Sequence, residues 1–116
     1  MSAEYRRAPR RRVIEQIDVV DVMTDTMIGR LSNLSETGLL LITNTPLNED
    51  ALYQWRFNLP HPGGGAATIE CGTHLLWQDR ASAPGQWWVG VRFILLSKQA
   101  TDVITAWIEA PGGSFE

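Results

Sequence analysis

A single cysteine, Cys71, occurs in 116 residues. No intrachain disulfide can form, and the small secreted scaffolds that depend on such bridges are excluded. One lone thiol fits a reducing cytosol. No apolar run approaches the roughly 20 residues that a membrane-spanning helix needs. The N-terminus is charged, with no apolar stretch behind its arginines, so it does not have the form of a secretory signal. A cytoplasmic location is expected. Histidine is scarce too: His61 stands in a Pro/Gly loop and His74 in a strand pattern, and both are expected to be exposed or satisfied side chains. Asp18, Asp21 and Asp25 would be spread along an extended chain rather than gathered around an ion. Gly63-Gly64-Gly65 lacks the Lys-Ser/Thr that completes a phosphate loop and reads as a linker. Cys71 has no recognisable partner for nucleophilic chemistry. An enzyme, a metal site and a resident cofactor are therefore not expected.

What is present is an uneven charge. The net charge is −3, yet residues 1–12 carry five arginines against Glu4, a local +4. The remainder carries five basic and twelve acidic side chains, −7. A basic arm on an acidic body points to an anionic ligand held locally. It does not suit a broad DNA- or RNA-binding face, which needs basic charge spread over one surface.

At this length the chain forms one domain with one core. Residues 1–11 read as an extended, flexible arm, since Pro9 disfavours helix and biases Ala8 towards extended angles. Residues 12–27 are rich in β-branched side chains and read as one long strand, with a turn at Asp25-Thr26 and a short second strand over 28–32. Residues 33–38 read as a turn, in which Gly38 can take positive φ. A third strand covers 39–43, expected to be buried on both faces, or on one face and under a helix. Residues 52–59 alternate Tyr53, Trp55, Phe57 and Leu59 against Leu52, Gln54, Arg56 and Asn58, a strand with one buried face. Residues 67–79 and 86–95 form two more strands, joined by a hairpin. Ser97 is placed to cap a helix in which Ala100, Val103, Ile104, Trp107 and Ile108 recur at helical spacing. Pro111-Gly112-Gly113 ends it, and 110–116 read as a mobile tail. The fold class is mainly β: a small six-stranded antiparallel barrel over 12–109 with a C-terminal α-helix.

Two segments carry a family resemblance. The arm Glu4-Tyr5-Arg6-Arg7-Ala8-Pro9-Arg10-Arg11-Arg12 contains RxxxR, as Arg6/Arg10 or as Arg7/Arg11; Pro9 before the second arginine favours Arg6/Arg10. About twenty residues later, Asn33-Leu34-Ser35-Glu36-Thr37-Gly38 matches (D/N)xSxxG. A third segment, Gly90-Val91-Arg92-Phe93-Ile94, is similar to a last barrel strand leading into a helix. In order and spacing these resemble the PilZ domain family, bacterial receptors of cyclic di-GMP, over nearly the whole chain.

The resemblance implies a nucleotide site built from Arg6, Arg7, Arg10, Arg11, Asn33, Ser35 and Gly38, with Trp77 a candidate to stack on guanine. Arginine suits this ligand, because its planar fork matches phosphate or guanine O6/N7 and its face stacks on a base. Asn33 offers an acceptor to a guanine N–H, although Asp at this place would offer a charged one. Gly38 would let the backbone approach the ligand. The implied action is an arm that orders over cyclic di-GMP and signals through an unidentified effector protein, with outputs such as motility or biofilm. A PilZ-like interaction module without nucleotide binding is the alternative, and a nonspecific binder of nucleic acid or anionic lipid is a third reading. One ligand or a stacked pair, and a monomer or weak dimer, are both compatible with the residues.

Overall fold

The computed structural model describes residues 8–61 and 63–116. Seven strands and one helix follow in order: β1 Arg11–Arg12, β2 Asp18–Asp21, β3 Thr26–Leu34, β4 Gly38–Thr43, β5 Leu52–Pro60, β6 Ala66–Arg80, β7 Trp87–Leu96 and α1 Lys98–Glu109. All pairings are antiparallel. The circuit β3-β2-β5-β6-β7-β4 returns to β3 and closes a six-strand barrel, which leaves no open edge within it. The short β1 is the extra strand, paired with β3 and bridged at Arg11 to Phe115.

The interior follows from alternation. On β5, Trp55, Phe57 and Leu59 point inward and are buried, while Leu52 faces out. On β6, Ile69, Cys71, Thr73 and Leu75 fill the same interior. Burial pushes the Cys71 thiol up to about 12, so it stays protonated and unreactive near neutral pH. Ser97 caps α1, its Oγ accepting from the Ala100 N–H at 3.0 Å. The helix buries Ala100, Ile104, Trp107 and Ile108 and packs against β5 and β6. Leu39 and Leu41 of β4 point inward, whereas Leu40 and Ile42 are only half-buried, so this strand is not buried on both faces.

The stretch expected as one long strand over 12–27 is broken. β1 and β2 both lie on the β3 edge opposite β4, Arg12 facing Asn33 and Asp18 facing Arg30. Five residues between these pairs on one side therefore oppose two on the β3 side. The surplus loops out: Ile14, Glu15 and Gln16 are exposed, while Ile17 returns to the core. β-branched residues fit a strand and a wide bulge equally well, so composition does not separate the two. The turn falls at residues 22–25 instead of at Asp25-Thr26. There the Asp21 carboxylate accepts from the Met23 and Thr24 N–H groups, and Asp25 takes φ 54°. β3 consequently runs on to Leu34 and takes Asn33 out of the expected turn.

Candidate functional site

Asn33 sits near the end of β3, 2% exposed. A register slip between Leu31 and Asn33 breaks the alternation there, and Asn33 and Leu34 are both buried. A buried amide needs partners, and both halves of this one have them. Arg10 Nη1 donates to Asn33 Oδ1 at 2.9 Å. Asn33 Nδ2 donates to Glu116 Oε1 at 3.2 Å. Arg10 is placed by β1, which pairs with the same end of β3.

The far side of β1 is occupied by the chain's last residues. The segment read as a mobile tail runs antiparallel to the arm, with Arg12 N donating to Ser114 O at 2.8 Å and Glu116 N to Arg10 O at 2.9 Å. Glu116 Oε2 accepts from Arg12 Nε at 2.6 Å.

Trp77 reaches the same place from β6. Its register with β7 slips between Leu75 and Trp77, so Leu76 and Trp77 are both turned outward, Trp77 to 48% exposure. The indole lies across Gly90, where an added Cβ would come within 2.2 Å of Trp77 Nε1. Gly90 thus provides the groove in which this ring rests. Arg10, Asn33, Leu39, Leu40, Leu76, Trp77, Gly90 and Val91 line one cavity of about 210 Å³. That is smaller than the roughly 300–1,000 Å³ of pockets that enclose drug-sized ligands. It has room for one flat heterocycle: apolar floor, aromatic wall, one cationic fork and one amide.

Among the described residues, Ser35, Gly38 and Arg11 are placed elsewhere. Ser35 is fully buried and builds the β3–β4 turn; its Oγ accepts from the Thr37 and Gly38 N–H groups at 3.1 and 3.2 Å. Gly38 does not use positive φ, which among the described glycines belongs to Gly64, Gly65, Gly85 and Gly112. Its lack of a Cβ serves the barrel instead, since a Cβ would lie 2.2 Å from the Val91 carbonyl oxygen of β7. Neither residue lines the cavity. Arg6 and Arg7 lie outside the described residues.

Arg11 points away from Arg10, as successive residues of an extended chain do. Its Nη1 donates to the Trp107 and Ala110 carbonyls at 2.6 and 2.8 Å, and its guanidinium stands 4.9 Å from the Trp107 ring centroid. The last turn of α1 has no basic residue of its own, so Arg11 supplies the cation that free helix-end carbonyls favour. Replacing Arg11 with alanine is expected to cost about 2 kcal/mol of stability. Affinity for a ligand of the cavity should stay within about twofold, because these contacts leave the cavity untouched. Urea unfolding and a parallel titration check both halves; a stable variant that has lost the ligand would return Arg11 to the site.

Leu76, Gly90 and Glu116 were not legible as site residues. Only Gly90 carried a signal, as a small residue inside a strand.

The PilZ domain family model matches residues 4–110. Among solved structures, the Bacillus subtilis inhibitor of motility MotI/DgrA is similar at TM-score 0.71 and 12% identity. That match covers 89% of this chain and 49% of that one, so the chain spans about half that protein's length. The PilZ domain of YcgR from Escherichia coli, solved with c-di-GMP, is similar at TM-score 0.64 and 17% identity, covering 89% of this chain and 88% of that one. No curated protein matches the chain. With a closed barrel, the arm and turn motifs in order, and a family model spanning nearly its whole length, this chain belongs to the PilZ domain family.

Proposed function

We propose that this protein is a cytoplasmic cyclic di-GMP receptor that passes the signal to a protein partner. The family is one of ligand-binding and adaptor domains, and the relative from Escherichia coli was solved with this nucleotide. The observation that carries the reading is the Arg10–Asn33 hydrogen bond at the mouth of a cavity walled by Trp77. A guanine ring stacks against the Trp77 face, a contact worth about 1–3 kcal/mol. Asn33 Oδ1 accepts a guanine N–H with its second lone pair. The Arg10 fork takes guanine O6/N7 or a phosphodiester oxygen. Arg6, four residues upstream on the arm, takes the remaining phosphate charge. The cavity holds one base, so the rest of the nucleotide is covered from outside. Ordering the arm over it turns binding into a change of surface that a partner can read.

Isothermal calorimetry with cyclic di-GMP, and with GMP and cyclic di-AMP as controls, tests this. Saturable binding selective for cyclic di-GMP is expected. A folded protein that takes up no cyclic di-GMP would sink the assignment and favour the ligand-independent interaction module.

A further inference from the structure

Asn33 is a two-faced group: its oxygen accepts and its NH₂ donates. Which face meets the ligand decides which base edge it can read. A guanidinium can only donate and a carboxylate can only accept. Arg10 on one side and Glu116 on the other therefore admit one orientation of the amide, oxygen towards Arg10 and the cavity, nitrogen towards Glu116.

Glu116 is itself held. Arg12 Nε donates to its second carboxylate oxygen at 2.6 Å, and its backbone N–H donates to Arg10 O at 2.9 Å. The carboxylate thus spans Arg12 and Asn33 without lining the cavity.

We propose that Glu116 is a positioning residue that fixes the Asn33 amide with its acceptor towards the ligand and so sets the preference for guanine. The inference rests on the cyclic di-GMP reading of the site. The physical reason lies in the binding step. When a phosphate or a guanine O6/N7 draws on the Arg10 fork, the bond that orients Asn33 from that side weakens. Glu116 still holds the amide from the other side. Guanine presents N1–H and N2–H donors along its Watson–Crick edge, whereas adenine presents a bare N1 lone pair in the corresponding place. A fixed Oδ1 attracts the first and repels the second. A freely turning amide would accept from one and donate to the other at little difference in energy, and discrimination would fall.

The test uses the full chain as wild type, E116A and E116Q. Affinities for cyclic di-GMP and cyclic di-AMP are measured by calorimetry, and the Asn33 side-chain amide is followed by 15N–1H correlation NMR. In E116A, cyclic di-GMP is expected to weaken about tenfold while cyclic di-AMP does not, so the ratio between them falls. E116Q keeps an oxygen that can accept from Asn33 Nδ2, and is expected to restore the ratio to within about twofold. The Asn33 amide signal should move in E116A and stay near its wild-type position in E116Q. An R12A variant, which cuts the ion pair but leaves the Asn33–Glu116 contact, controls for loosening of the tail and should retain the selectivity.

Equal loss of both nucleotides in E116A would make Glu116 a merely structural residue and overturn the inference. Tighter binding of cyclic di-GMP in E116A would make it a competitor of the ligand, and an unmoved Asn33 signal would remove the contact; either also overturns it. A wild type that binds neither nucleotide defeats the receptor reading itself. That outcome is distinct from a selective wild type matched by an equally selective E116A.

Discussion

Replacing Arg10 with alanine is expected to weaken cyclic di-GMP binding by about a hundredfold, some 3 kcal/mol, with the barrel still folded. Two losses add in this variant. The ligand forfeits a charge-assisted hydrogen bond to its phosphate or base edge. Asn33, 2% exposed, also loses the donor that holds its oxygen towards the cavity. Because Asn33 is buried, water replaces that donor poorly, and the effect exceeds that of an exposed arginine. Lysine would restore the charge but not the fork, so Arg10→Lys should recover only part of the affinity. Calorimetry on both variants, beside a thermal melt, separates contact from fold. An Arg10→Ala protein that binds as the wild type does would move the site away from this cavity. The expectation for Arg11→Ala is the reverse, stability lost and affinity kept. The two neighbours therefore form an internal control, and their opposite responses would resolve the RxxxR ambiguity in favour of the pair that ends at Arg10.

Gly38→Ala should be the most destabilising single-methyl change in the ligand motifs, by about 3 kcal/mol. The new Cβ would lie 2.2 Å from the Val91 oxygen, 3.0 Å from the Arg92 Cα and 3.1 Å from the Val91 carbonyl carbon. All three are backbone atoms, which cannot rotate away as a side-chain tip can. Relief requires β4 and β7 to part at Gly38↔Arg92, where the barrel is closed. The melting temperature should fall by about 12 °C for a domain of this size. Gly63→Ala is the control: its Cβ would be in ordinary contact, 3.7 Å from His61 Nδ1, and less than about 0.5 kcal/mol is expected. Equal melting temperatures for the two variants would refute the packing role. Gly38 then affects the ligand only indirectly, by keeping β4 and β7 together beneath the cavity floor of Leu39 and Val91.

Much of this was legible from residue types and their order. Alternation in 52–59 gave the buried face of β5, and Ser97 with its helical apolar spacing gave α1. Both depend on contacts within a few residues, where period and capping chemistry act directly. Arg10, Asn33 and Trp77 could be named as candidates because a fork, an amide and an indole have few equals for a guanine nucleotide. The roles of Ser35, Gly38 and Arg11 were less legible. The pattern N-x-S-x-x-G reads alike whether its serine and glycine touch a ligand or hold a turn against a neighbouring strand.

Local pattern was thus sufficient for the strand content and the terminal helix, and it named the residue types proposed for the site. Tertiary structure decided which of those residues meet. The slips beside Asn33 and Trp77 shift the facing of side chains with no mark in composition, because one extra residue in a strand looks like any other strand residue. Arg11 finds its helix-end carbonyls 96 residues away and Asn33 finds Glu116 83 residues away. Such partners are brought together by β1 pairing with β3 and by the C-terminal segment running beside β1, and no periodicity along the chain encodes a contact between segments so far apart in sequence.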